Sequence, residues 1–229
     1  MHTGKGQILE LILEDGVRHL RVACPASLIP SPGQYLFAGD ESDAALPVPL
    51  FHTDSAPQGF IATGSIPDSW RPGVILRLRG PLGRGFSLPA SARKVGLIAW
   101  NYSPARLRGL IQPALRQGAA VVVVCESNPE YLPDDVEVQP LAALQDIVEW
   151  SDYVAFDVER EKLDQLQERL GRLSRVVAAK EMQVLVQTPI PCGGIAECGV
   201  CAVKLRSTWE LACKEGPVFD WAELESKVS

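Results

Sequence analysis

Apolar and polar positions change rhythm along this chain, and the changes divide it into three parts. Up to about residue 91 the rhythm is short. In VILRLRG, Leu76 and Leu78 alternate with Arg77 and Arg79, which predicts a strand with one buried and one polar face. QILELILEDGVRHLRVA carries two apolar runs joined at Asp15-Gly16, a hairpin turn signal. Pro30, Pro32, Gly33, Pro47, Pro49, Pro72 and Gly73 punctuate the stretch, and no helical period of useful length appears. The pattern predicts an antiparallel β-barrel or sandwich over residues 1–91.

From Lys94 the rhythm lengthens. KVGLIAW and AAVVVVC are continuous apolar runs, suited to strands covered on both faces. Between them Ser103-Pro104 reads as an N-cap followed by proline at the first helical position. The helix should run through ARLRGLIQPALRQ to Gly118, kinked or broken early by Pro113. VEVQP and YVAFD follow as shorter strands, with LAALQDIVEW helical between them. EREKLDQLQERLGRL then places Leu163, Leu166, Leu170 and Leu173 on one helical face, leaving Glu161, Asp164 and Glu168 to solvent. Alternating strands and helices predict a parallel sheet over residues 92–181. A third unit, 182–229, is too small to rely on its own core.

Composition narrows the function. The chain has 229 residues, 46% hydrophobic and 22% charged, with a net charge of −6 and a pI near 5.2. A nucleic-acid binder would present a basic face, so none is expected. The longest strongly apolar run is far too short to cross a bilayer, and MHTGKGQILE lacks the apolar stretch of a signal peptide. A cytoplasmic protein with no membrane partner is expected. His2, His19 and His52 are too scattered for a metal site or triad, and His19 is expected on an exposed strand face with Arg21.

Four of the six cysteines fall in the third unit, spaced Cys192-x5-Cys198-x2-Cys201-x11-Cys213. In a reducing compartment such a cluster points to metal rather than to disulfides. Four thiolates with this spacing approach the plant-type [2Fe–2S] pattern, one residue longer in the first gap. Gly193, Gly194 and Gly199 supply backbone angles for a loop that wraps the metal and turns its amides toward sulfur. A four-thiolate zinc site is the alternative, although only Cys198-x2-Cys201 forms a zinc-type hook. Cys24 and Cys125 read as small core residues. Trp209 and Phe219, near the fourth cysteine, read as packing for this unit, with contact to a partner as the alternative.

The stretch CGGIAECGVCAVKLRSTWELACKEGPVFDW resembles the iron–sulfur domain of the electron-transfer subunit of type B dihydroorotate dehydrogenases. Its features are a glycine-rich loop with three cysteines and a fourth cysteine before EGPVFD. SPGQY at Ser31–Tyr35 and GPLGRGF at Gly80–Phe86 are similar to barrel motifs of that family, within the ferredoxin–NADP reductase superfamily. The resemblance implies a β-barrel plus α/β two-domain architecture with a small C-terminal [2Fe–2S] domain. It implies Cys192, Cys198, Cys201 and Cys213 as cluster ligands, and Gly83 and Gly85 as flavin-domain contacts. It also implies an electron relay from NADH through FAD and the cluster to a partner flavoprotein catalytic subunit, in a hetero-oligomer serving pyrimidine biosynthesis.

Two motifs of that family have changed here. Its flavin motif, Arg-Pro-apolar-Ser, aligns with Val48-Pro49-Leu50-Phe51. Val48 cannot pair with phosphate as a guanidinium does, so FAD binding stays open. Arg71, Arg77, Arg79 and Arg84 read as a solvated barrel face rather than as replacements. The glycine-rich dinucleotide turn is replaced by Ala99-Trp100-Asn101-Tyr102-Ser103-Pro104, whose rings occupy the space a pyrophosphate needs, and a later Cys-Gly-Pro by Asp157-Val158-Glu159. NAD(P) is therefore not expected. The reading is an iron–sulfur electron-transfer subunit that is not catalytic on its own. A complete FAD-dependent NADH reductase with an atypical pocket and a metal-stabilised, non-redox scaffold are the alternatives.

Overall fold

The computed structural model describes residues 1–14, 16–40, 46–100, 103–127, 129, 131–171 and 180–224. The first part folds as the alternation predicts. Strands β1 (His2–Glu14), β2 (Val17–Ala23), β3 (Tyr35–Gly39), β4 (Val48–Ala56), β5 (Gly59–Thr63) and β6 (Ile75–Leu82) close into an antiparallel barrel ordered β1-β2-β5-β4-β3-β6. Leu76 and Leu78 join Ile8, Leu20, Val22, Leu36 and Phe60 in its core. The β1–β2 hairpin forms, with Gly16 at φ +74°, while Asp15 lies outside the described residues.

A six-stranded sheet forms the second layer system, its strands ordered Val218–Asp220, Glu181–Gln187, Tyr153–Glu159, Lys94–Ala99, Ala120–Val124, Val136–Gln139. Strands β7 (Lys94–Ala99), β8 (Ala120–Val124), β9 (Val136–Gln139), β10 (Tyr153–Glu159) and β11 (Glu181–Gln187) are parallel. Helices α1 (Ile111–Arg116), α2 (Leu144–Trp150) and α3 (Leu163–Leu170) connect them. Leu163, Leu166 and Leu170 are buried as their spacing requires, and Glu161, Asp164 and Glu168 are exposed. Leu173 lies outside the described residues.

The first connection departs from a continuous helix. Ser103 is extended and makes no side-chain cap, and Pro104 opens a 3-10 turn, Pro104–Arg106. A second turn, Arg108–Leu110, precedes α1. Pro113 then sits in the first turn of α1, where its missing N–H breaks no helical bond. The break expected at this proline occurs upstream of it.

The cysteine-bearing segment is stitched into this sheet. β11, which straddles the boundary expected at 182, lies inside it, and β14 (Val218–Asp220) pairs antiparallel with β11 as its edge. Between them a two-stranded ribbon, β12 (Ala202–Lys204) and β13 (Trp209–Leu211), carries the third and fourth cysteines at its ends. Val203, Leu205, Phe219 and Leu224 share one core with α2, α3 and the sheet. Each such side chain contributes about 1.5–3 kcal/mol on burial, so the segment borrows the core it lacks. Among the described residues no helix is long and apolar enough to cross a membrane.

His19 corrects the expectation of an exposed strand position. It is 2% exposed and lies beside the Glu14 carboxylate, which Arg108 from the second domain also reaches. Arg108 Nη1 donates to Glu14 Oε2 at 2.6 Å, and the same carboxylate lies 3.9 Å from His19 Nε2.

Candidate metal centre

Cys192 opens a loop whose backbone turns through left-handed conformations at Gly193, Gly194 and Gly199, and at Ala196, φ +67°. A non-glycine residue there is uncommon and costs roughly 1 kcal/mol or more. The turns aim the amides of Gly194, Ile195 and Ala196 at the Cys192 sulfur. Partial burial raises that thiol, but the Ala196 amide, the Cys198 thiol and the other two amides outweigh it and hold Cys192 down to about 6.

The four thiols associate in two pairs. Cys192 hydrogen-bonds with Cys198, and Cys201 with Cys213. Among the described residues no three Cys, His, Asp or Glu side chains converge as a single ion needs. Burial, the Cys201 thiol and the charges of Cys201, Cys192 and Glu215 push Cys213 up to about 12. Cys201 and Cys213 are buried, Cys192 is half-buried and Cys198 is exposed. One pair thus sits against the protein and the other faces out. Ile195, Val200 and Trp209, all exposed, surround the cysteines in sequence. Of the two aromatic residues read as packing, Phe219 is buried and Trp209 is 63% exposed.

The barrel supplies the floor beneath this loop. The Tyr35 hydroxyl donates to the Cys213 carbonyl at 2.8 Å in a buried contact. Arg79 Nη2 donates to the Gly193 carbonyl, and its guanidinium lies 5.3 Å from the centre of the Phe37 ring. A Cβ on Gly194 would stand 2.9 Å from Phe37, so the loop rests on that ring. GPLGRGF completes the seam. The Arg84 amide donates to the Gly216 carbonyl, its side chain pairs with Asp220 at 2.9 Å, and a Cβ on Gly83 would stand 2.5 Å from the Gly216 oxygen. Gly85 packs on Pro32 and Gln34. The structure therefore sets Gly83 and Gly85 beside the cysteine segment and its supports. Arg84 is exposed as read from sequence, but Arg79 is half-buried, and the contacts of both with the cysteine segment are what that reading missed. Their partners lie more than a hundred positions away, beyond any local pattern.

The space between the domains is lined by the chain's own side chains. Val48 packs on the barrel core. The Phe51 ring lies 5.4 Å from the Tyr35 ring, and the Arg106 guanidinium sits 5.4 Å from the Phe51 centroid. Arg106 Nη1 is 3.2 Å from Asp157, which also accepts from Gln187 Nε2 at 2.5 Å. Asp157 is fully buried, and burial raises its carboxyl despite the Arg106 charge and the hydrogen bonds from Gln187 and Arg106. His52 of β4 lies against Gly109 of the second turn, where a Cβ would stand 2.6 Å from its Nδ1. Trp100 packs on the core of the sheet, and Asn101 and Tyr102 lie outside the described residues.

Comparison with known proteins agrees with this geometry. Residues 192–225 match the family described as the iron–sulfur cluster binding domain of dihydroorotate dehydrogenase B. No curated protein matches the chain. Among solved structures, the NADH-dependent reduced ferredoxin-NADP oxidoreductase is similar over 96% of this chain and 90% of its own, with TM-score 0.71 and 15% identity. Phthalate dioxygenase reductase matches over 90% and 87%, with TM-score 0.58 and 12% identity. The ferredoxin-NADP+ reductase from Plasmodium falciparum matches over 80% and 95%, with TM-score 0.58 and 10% identity. The chain has the ferredoxin-reductase fold, and its C-terminal segment matches an iron–sulfur cluster binding domain, in line with the resemblance seen in sequence.

Proposed function

We propose that this protein is an electron-transfer subunit that relays single electrons between a donor and a partner flavoprotein, through a [2Fe–2S] cluster held by Cys192, Cys198, Cys201 and Cys213. The family match over all four cysteines carries the reading. The spacing, in which only Cys198-x2-Cys201 forms a zinc-type hook, supports a [2Fe–2S] cluster over one tetrahedral zinc. Such a cluster supplies one-electron acceptance and release, with no acid, base or nucleophile required. The chain's residues anchor one thiol pair in the core, expose the other, and direct amides at sulfur.

The interdomain residues do not fit a flavin or a dinucleotide. Val48 itself offers no charge to a phosphate, and Phe51 is flanked by Tyr35 and Arg106 where the ferredoxin-reductase motif has a small hydroxyl side chain. Asp157 holds Arg106 at the carboxyl edge of the parallel strands, the usual ligand edge of such sheets. Electrons therefore enter from a separate carrier or from the partner. The exposed Cys198 side, with Ile195, Val200 and Trp209, supports a hetero-oligomer. A catalytic subunit of the dihydroorotate dehydrogenase kind, acting in cytoplasmic pyrimidine synthesis, is the partner we favour. The test is anaerobic reduction of the purified chain. Dithionite should bleach its visible absorption and NADH should not. A yellow protein that copurifies with FAD and is reduced by NADH would instead be a complete reductase.

A further inference from the structure

We infer that Arg79 and Tyr35, barrel residues outside the cysteine motif, set the reduction potential of the metal centre. This rests on the iron–sulfur reading above and names the residues that tune it. Arg79 places a fixed positive charge on the carbonyl of Gly193, the residue after the first cysteine. The guanidinium is half-buried over Phe37, where screening by water is reduced. Tyr35 is fully buried and donates to the carbonyl of Cys213 itself. Its hydroxyl lies within electrostatic reach of Cys192, Cys201, Cys213 and Arg79. Tyr35 packs edge-on to Phe37 at 5.4 Å and beside Phe51, so the hydroxyl is held in place by rings on both sides.

A cluster held by these cysteines would take the electron on iron and make the site more negative by one charge, with no bond formed or broken. A cation and a hydrogen-bond donor fixed beside the ligands favour that state, and charge and hydrogen bonding are established levers on such potentials. Both groups come from the barrel. The domain that holds a flavin in related folds here acts on the metal site.

The experiment uses the full chain, purified anaerobically, in wild-type, Arg79→Gln, Arg79→Lys and Tyr35→Phe forms. Iron and sulfide are counted, and midpoint potentials are read by dithionite titration followed by EPR. Arg79→Gln should keep its iron and become harder to reduce by about tenfold in the reduction equilibrium, about 59 mV for one electron. Arg79→Lys should restore most of that shift. Tyr35→Phe keeps the ring packing and should move the same way by less. An unchanged potential in Arg79→Gln at full iron content overturns the inference for Arg79. Loss of iron from Arg79→Gln also overturns it, since the side chain is then a strut. An unmoved potential in Tyr35→Phe removes Tyr35. A wild-type chain without iron and sulfide defeats the iron–sulfur reading instead.

Discussion

At the scale of single residues, the four thiols proposed as one ligand set are not equivalent. Cys192, held down to about 6 by the Ala196 amide, the Cys198 thiol and two further amides against its partial burial, is ready as a thiolate at neutral pH, whereas Cys213 would have to shed a proton to bind metal. Cys213→Ser should therefore lose the metal. Its structural effect should stay local, because Val218 and Phe219 are fixed in the sheet. Iron analysis should show the loss, and limited proteolysis should cut within 192–213 while β14 stays protected. Retained iron would remove Cys213 from the ligand set. Spacing drew attention to these cysteines in sequence, since residues of one loop are neighbours in the chain. Arg79 and His19 were not legible, because their environments come from segments on the other domain.

At the scale of elements, two seams join the barrel to the rest. In the first, β4 meets the turn Arg108–Leu110, with His52 stacked on Phe60 and pressed against Gly109. Burial lowers the His52 value below the ordinary 6.5, with Asp54 opposing. The unfolded chain then binds the proton more readily, so stability rises with pH between the lowered folded value and 6.5. Thermal unfolding should show stability falling as pH drops from 6.5, and His52→Leu should flatten that slope. An unchanged slope would put the titration elsewhere. In the second seam, Gly83 at φ +72° faces the Gly216 carbonyl. Gly83→Ala should cost about 1–3 kcal/mol, through backbone strain and a backbone contact that cannot yield. Its sign should be faster amide exchange in 213–218, and wild-type exchange there would show that the seam tolerates the change. Most elements were legible from periodicity. β14 was not, being three residues long and paired with a strand far back in the chain.

At the scale of the molecule, a reductase fold has been kept while its crevice is lined by Phe51, Arg106 and Asp157. The cysteine segment is not an appendage, for its Val203, Leu205, Phe219 and Leu224 complete the core over the sheet. Deleting everything beyond residue 190 should expose that apolar face and yield an aggregated or molten product, checked by near-ultraviolet dichroism; a well-folded remnant would show that the core closes without the segment. The central claim is a [2Fe–2S] relay rather than a zinc scaffold. The most direct test is the metal and sulfide stoichiometry of the anaerobically purified chain, with EPR after reduction. About two irons and two acid-labile sulfides per chain, and a signal appearing on reduction, are expected. Zinc in place of iron, with no labile sulfide, would contradict it.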